Sequence, residues 1–186
     1  MESLGIGFNL MYCIAFIVVI ALIFVILEFN RFVKLKNKVK QSKASIDIYL
    51  NQRFDLIPNL VECVKGYAKY EQETYEKIAK LRTNYDKNKD EESASKLNGV
   101  CNDLIAVGES NPDLKANEQF LNLQKNIAKT ENQIQAARRL YNGDVTLYNT
   151  LVLTFPNNIF AKMFGFKEEK LFEVEIEKTK NVIIDL

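Results

Sequence analysis

No charged side chain stands between residues 3 and 27, and residues 10–27 are almost unbroken Ile, Val, Leu, Phe and Ala. A helix rises about 1.5 Å per residue and a hydrocarbon core is about 30 Å thick, so residues 8–27 can cross a bilayer. The pattern then changes to a three-and-four spacing of apolar positions: Phe32, Leu35, Val39, Ile46, Leu50, Ile57, Val61, Val64, Ala68, Tyr75, Ile78 and Tyr85. Ser42, Arg53, Glu71 and Arg82 fill the remaining places on that stripe. This spacing predicts a long amphipathic helix, or two stacked ones, over about residues 32–86. Pro58 and Gly66 both speak against continuity, and a kink is expected between Phe54 and Pro58, where the ring removes a donor and crowds the preceding turn.

The wholly polar stretch 86–93 predicts a linker. Leu97, Val100, Cys101, Leu104 and Ile105 then share one face of a shorter helix, over about 93–108. Asn111 is placed to cap a third helix whose first position, Pro112, loses no bond by lacking an N–H. Its stripe of Phe120, Leu123, Ile127, Ile134, Ala137, Tyr141, Val145, Tyr148 and Val152 passes through Asn142-Gly143, so an intact helix over about 112–154 is expected. Phe155-Pro156 is a stop. For the Phe-rich segment that follows two readings stay open: Ile159, Phe160, Met163, Phe164 and Phe166 cap the bundle, or they dock on a membrane or a partner. The tail alternates Phe172, Val174 and Ile176 with Glu173, Glu175 and Glu177, which fits a strand or an ordered tail lying on the bundle.

The expected fold is all-α, a single N-terminal transmembrane helix followed by an antiparallel bundle of long helices. Residues 1–30 form the external segment and the anchor, 31–156 the bundle, and 157–186 the capping segment and tail. A cleaved signal peptide does not fit, because Glu2 is the only early charge and the apolar run ends in Leu27-Glu28-Phe29-Asn30 without a small-residue cleavage site. Arg31, Lys34, Lys36, Lys38, Lys40 and Lys43 follow the run, whereas its other flank carries no Lys or Arg. By the positive-inside rule the N-terminus faces outward and the helical domain lies in the cytoplasm. The same basic residues stand where anionic headgroups attract them, although setting topology is a sufficient reason for their presence. The stripe starts at Phe32, so anchor and first bundle helix are expected to form one rigid rod unless a break falls at residues 28–31.

Charge and composition add mainly exclusions. Lys and Arg number 25 against 24 Asp and Glu, so nothing points to nucleic acid. Cys13, Cys63 and Cys101 are too few and scattered for a disulfide framework or a zinc site. The absence of His removes the commonest general base and metal ligand, and no glycine cluster forms a phosphate-cradling loop. No catalytic residue, cofactor or metal is expected.

Ile46 to Glu71 carry a specific likeness. Asp47, Leu50 and Arg53, then Asp55-Leu56-Ile57-Pro58-Asn59-Leu60-Val61-Glu62 and Val64-Lys65-Gly66-Tyr67-Ala68, resemble the signature segment of the LemA family of bacterial membrane proteins. Thr130-Glu131, Ala137-Arg138-Arg139-Leu140-Tyr141-Asn142, Val145, Tyr148-Asn149, Phe155-Pro156 and Gly165-Phe166 resemble the family's C-terminal half. Ser45 departs from the family's usual Trp, and Asn51-Gln52 stand where basic residues are common. The resemblance implies the same anchor, short end outside, in the plasma membrane, with a long-helix bundle. It implies no reaction, and points to envelope organisation or to work near membrane proteases.

The residues singled out are the charges on or beside the stripes. Asp47, Arg53, Asp55 and Glu62 on one helix are expected to pair across an antiparallel seam with Glu131 and Arg138, the competing reading being solvated charges that flank the seam. Pro58, Asn59, Tyr141 and Asn142 complete the set of structural or interaction candidates. A scaffold that self-associates into a homo-oligomer is the expected function, with the bilayer as a partner. The alternative is an adaptor that binds an integral membrane protein such as a protease.

Overall fold

Six helices and no strand occur among the described residues (2–66, 71–89 and 91–172) of the computed structural model. They are α1 (Glu2–Val64), α2 (Glu71–Asn88), α3 (Glu91–Ser110), α4 (Pro112–Lys115), α5 (Glu118–Leu153) and α6 (Asn157–Phe164). The expected all-α fold is observed. In their described parts the helices form two compact units, one from residues 1–40 and 141–186, the other from residues 41–140.

The stripe expected over 32–86 is divided, and not at the proline. Pro58 lies inside α1, while the helix ends at Val64 and a turn takes Lys65-Gly66. A proline inside a helix costs about 3 kcal/mol, but each buried Leu, Val or Ile side chain returns about 1.5–3 kcal/mol. Ile57, Leu60, Val61 and Val64, all buried around Pro58, therefore outweigh it. α2 extends to Asn88 and α3 starts at Glu91, so the polar stretch 86–93 is mostly helical.

The helix expected over 112–154 is also divided. Asn111 holds the N-cap position of α4, but its side chain donates to the Val107 carbonyl and makes no cap bond. The capping bond is made one short helix later, where the Asn117 side-chain Oδ1 accepts from the Phe120 N–H and starts α5. From there α5 runs through Asn142-Gly143 to Leu153 without interruption.

In the unit 41–140, α1 and α5 are antiparallel: Arg53 pairs with Glu131, and Asn59 lies near Asn122 further back along α5. α2 folds back on α1 and α3 packs on α2. Their shared core holds Ile46, Leu50, Phe54, Ile57 and Leu60 from α1, Leu97 and Cys101 from α3, and Phe120 and Ile134 from α5. In the other unit, α1 and α5 are again antiparallel, with Lys38 on Asp144, and α6 packs against α1 through its phenylalanines. α1 passes residues 28–31 with no break, as the rigid-rod expectation requires. Expectations for residues 173–186 lie outside the described residues.

Candidate functional site

Two arrangements of polar groups stand out, one in each unit. In the unit 41–140 a ladder of charged and hydroxyl groups joins α1 to its neighbours. The Arg53 guanidinium, only 4% exposed, donates to the half-exposed Glu131 carboxylate across the α1–α5 seam. Gln135 donates to the other oxygen of Glu131. Toward α2, Arg82 donates to Asp55 at 2.6 Å, the Tyr85 hydroxyl to Asp47 at 2.6 Å, and the Tyr75 hydroxyl to Glu62. Asp47, Arg53, Asp55 and Glu62 thus all bridge α1 to another helix, one to α5 and three to α2. Arg138 lies within electrostatic reach of Tyr85, the residue that donates to Asp47. Pro58 is half-buried within α1, and Asn59 is exposed and lines an open groove with Asn122 and Asn126.

Burial decides the electrostatics. Loss of water pushes the Tyr85 hydroxyl well above the usual tyrosine range, the accepting Asp47 carboxylate adds to it, and Arg138 pulls the other way. Tyr85 also packs edge-on against Phe54, with ring centroids 5.2 Å apart. Burial likewise raises the Cys101 thiol, against the opposing charge and hydrogen bond of Arg53. Cys63 and Cys101 are free thiols. Among the described residues no group of three or more His, Cys, Asp or Glu is arranged to hold a metal ion.

The second arrangement is a clamp on main chain. After Gly165, whose left-handed φ of 73° ends α6, the chain runs extended along α5. The Asn142 amide donates to the Phe172 carbonyl at 3.0 Å and its oxygen accepts from the Phe172 N–H at 2.7 Å. Asn149 treats Glu169 the same way, at 2.8 Å and 2.9 Å. Between them the Tyr141 hydroxyl donates to the Lys170 carbonyl at 2.9 Å, and its ring meets Phe172 edge-on. Seven helical residues rise about 10.5 Å and three extended residues span about 10 Å, so two asparagines on one face of α5 match two residues of the segment three apart. Each side-chain amide satisfies the main-chain N–H and C=O of one residue, which reads backbone and ignores side-chain identity.

A model of the LemA family matches residues 42–186 of this sequence. The chain belongs to the LemA family. Protein LemA of Metamycoplasma hominis is 26% identical to it over 155 residues, covering 80% of this chain and 71% of that protein. The matched region takes in the whole charged ladder and the whole clamp, whereas residues 1–41 precede it. This LemA-family chain is therefore a membrane-associated helical protein whose long apolar N-terminal helix is compatible with a single-pass anchor.

Sequence reasoning on the LemA-like blocks found Tyr141 and Asn142 but missed their partners. Asn149 follows Asn142 by seven residues on the same face, a spacing visible in the sequence, yet nothing in the pattern of residues 166–172 marks them as its ligand. Asp144, off the apolar stripe and next to Val145, was not singled out from the sequence. It is buried, and Lys38, one of the six basic residues after the apolar run, reaches it at 3.0 Å.

Proposed function

We propose that this protein is a non-enzymatic, single-pass plasma-membrane protein, N-terminus outside, whose cytoplasmic helical domain is a self-associating scaffold. The observation that carries the membrane part is an inverted helix. From Met11 to Leu27 the apolar side chains of α1 stand exposed nearly all round, the state of a lipid-facing span and not of a core helix. The six basic residues beyond it support the orientation. Continuity of α1 and the contacts of Phe24 and Phe29 with α6 favour a retained signal anchor over a cleaved leader.

The scaffold part is supported by how the helices are locked. Buried or bridging charges such as Arg53–Glu131 contribute little to stability but restrict which helix faces which. A second reading, an adaptor for an integral membrane protein, is favoured by the Asn142–Asn149 clamp, since a groove that reads only main chain can take an extended segment of another chain. Light scattering and electron microscopy of the full-length protein in nanodiscs test the two. A large regular homo-oligomer supports the scaffold; a monomer that crosslinks to one envelope protein overturns it in favour of the adaptor.

A further inference from the structure

α6 has two faces of different character. Ala161 and Asn157 are buried and Phe160 is half-buried, whereas Ile159 and Met163 are 57% and 62% exposed, and Phe155 just ahead of the helix is 79% exposed. Ile159 and Met163, four residues apart, form an outward stripe on α6, and Phe155 stands exposed in the turn just before it. Such a stripe is too apolar for water, so what matters is where α6 sits.

Its position is fixed against α1 inside one unit. The Phe160 ring meets Phe24 at 5.8 Å, and Phe164 meets Phe29 at 5.2 Å. Phe166 stacks on Phe32 at 4.8 Å, under the Lys36 ammonium. α6 thus lies beside residues 24–32, where the outward apolar surface of α1 gives way to its basic stretch. Phe24 is three residues inside Leu27, about 5 Å along the axis, and amphipathic helices of a bilayer interface bury their apolar face about 5–10 Å deep. At the same level Arg31 and Lys34 line a groove with Thr150, Thr154 and Asn157, the first residue of α6. Positive charge stands beside an apolar stripe that continues the surface of the span.

We propose that α6 is an interfacial helix, with Phe155, Ile159 and Met163 seated in the lipid of the cytoplasmic leaflet and Arg31 and Lys34 among its headgroups. The proposal rests on the anchor reading and adds a second point of membrane contact. With two contacts, the unit formed by residues 1–40 and 141–172 is held flush to the bilayer and cannot tilt about its anchor.

The chain has no Trp, so a single introduced Trp reports its own surroundings. Phe16→Trp, Ile159→Trp, Met163→Trp and Lys129→Trp are placed in the full-length protein and reconstituted into phosphatidylcholine–phosphatidylglycerol vesicles whose acyl chains carry bromine at shallow or deep carbons. All four positions are exposed, and unchanged melting curves check that each variant folds. Ile159→Trp and Met163→Trp are expected to emit further to the blue than Lys129→Trp. They should lose more emission to shallow bromine than to deep, the reverse of Phe16→Trp. If Phe16→Trp is quenched while Ile159→Trp and Met163→Trp are not, the interfacial helix is refuted and the anchor stands; blue emission without quenching assigns the stripe to a protein contact instead. If Phe16→Trp itself escapes quenching, the anchor reading fails, and α6 with it.

Discussion

Asn149 holds both main-chain polar groups of Glu169, donating to its carbonyl at 2.8 Å and accepting from its N–H at 2.9 Å. Asn142 repeats the arrangement on Phe172. Replacing either asparagine by leucine removes two hydrogen bonds, which corresponds to about 1–3 kcal/mol of local stability. Asn149→Leu is therefore expected to speed hydrogen exchange at the Glu169 amide by roughly tenfold or more, with little change in the melting of the bundle. Exchange mass spectrometry of residues 167–172 checks it; unchanged protection there removes the clamp.

The Arg53–Glu131 pair joins a buried cation to a half-exposed anion, so its two ends respond differently. Arg53→Met should destabilise the solubilised protein by about 2–3 kcal/mol, less than a fully buried pair, because Glu131 regains water. Adding Glu131→Leu should recover most of that loss. Urea unfolding of both variants reads the difference. If Arg53→Met unfolds at the parent's urea concentration, the seam does not depend on the pair.

Gly108 of α3 faces the buried ring of Phe120, and a Cβ on it collides with that ring. Gly108→Ala is expected to destabilise the protein by about 1–3 kcal/mol, despite alanine's better helix propensity. Gly108→Ala together with Phe120→Leu should be milder than the sum of the two changes. Thermal melts of the three variants decide it, and additivity is the unfavourable result.

Tyr85 gives a pH signature. In the folded protein its hydroxyl stays neutral beyond the pH at which an exposed tyrosine ionises, because burial and the Asp47 carboxylate both oppose the phenolate. The unfolded chain therefore releases that proton first. The stability tied to Tyr85 is complete below about pH 10 and drains away as pH rises above it toward the folded value. Tyr85→Phe should be less stable than the parent at pH 8, and the gap should narrow between about pH 10 and 11. Parallel unfolding curves of the two proteins at each pH supply the test.

Most of the core was legible because burial has a period. Ser42 and Arg53, polar residues placed on the α1 stripe by spacing alone, are indeed buried. Phe54 and Leu60 are buried too, although they flank the stripe, because α1 is covered on more than one side by α2, α3 and α5. Breaks were less legible. Whether Pro58 or Gly66 ends the helix depends on what the following turn buries, and only the folded core decides that. The ladder was half visible, since charges beside a stripe announce a seam without naming partners: Asp47 and Asp55 accept from α2, whereas Arg53 donates to α5. The clamp was least visible. Its ligand is backbone, and every residue has one.

α1 crosses residues 28–31 without losing a turn. A helix with no swivel transmits rotation as well as position, so the azimuth of every side chain from Met11 to Leu27 is set by the grip of Phe29 and Phe32 on Phe164 and Phe166. The apolar stretch is thus a keyed shaft and not a tether. A neighbour touching one face of it meets α6 at the same bearing each time, and a twist applied at either end is felt at the other.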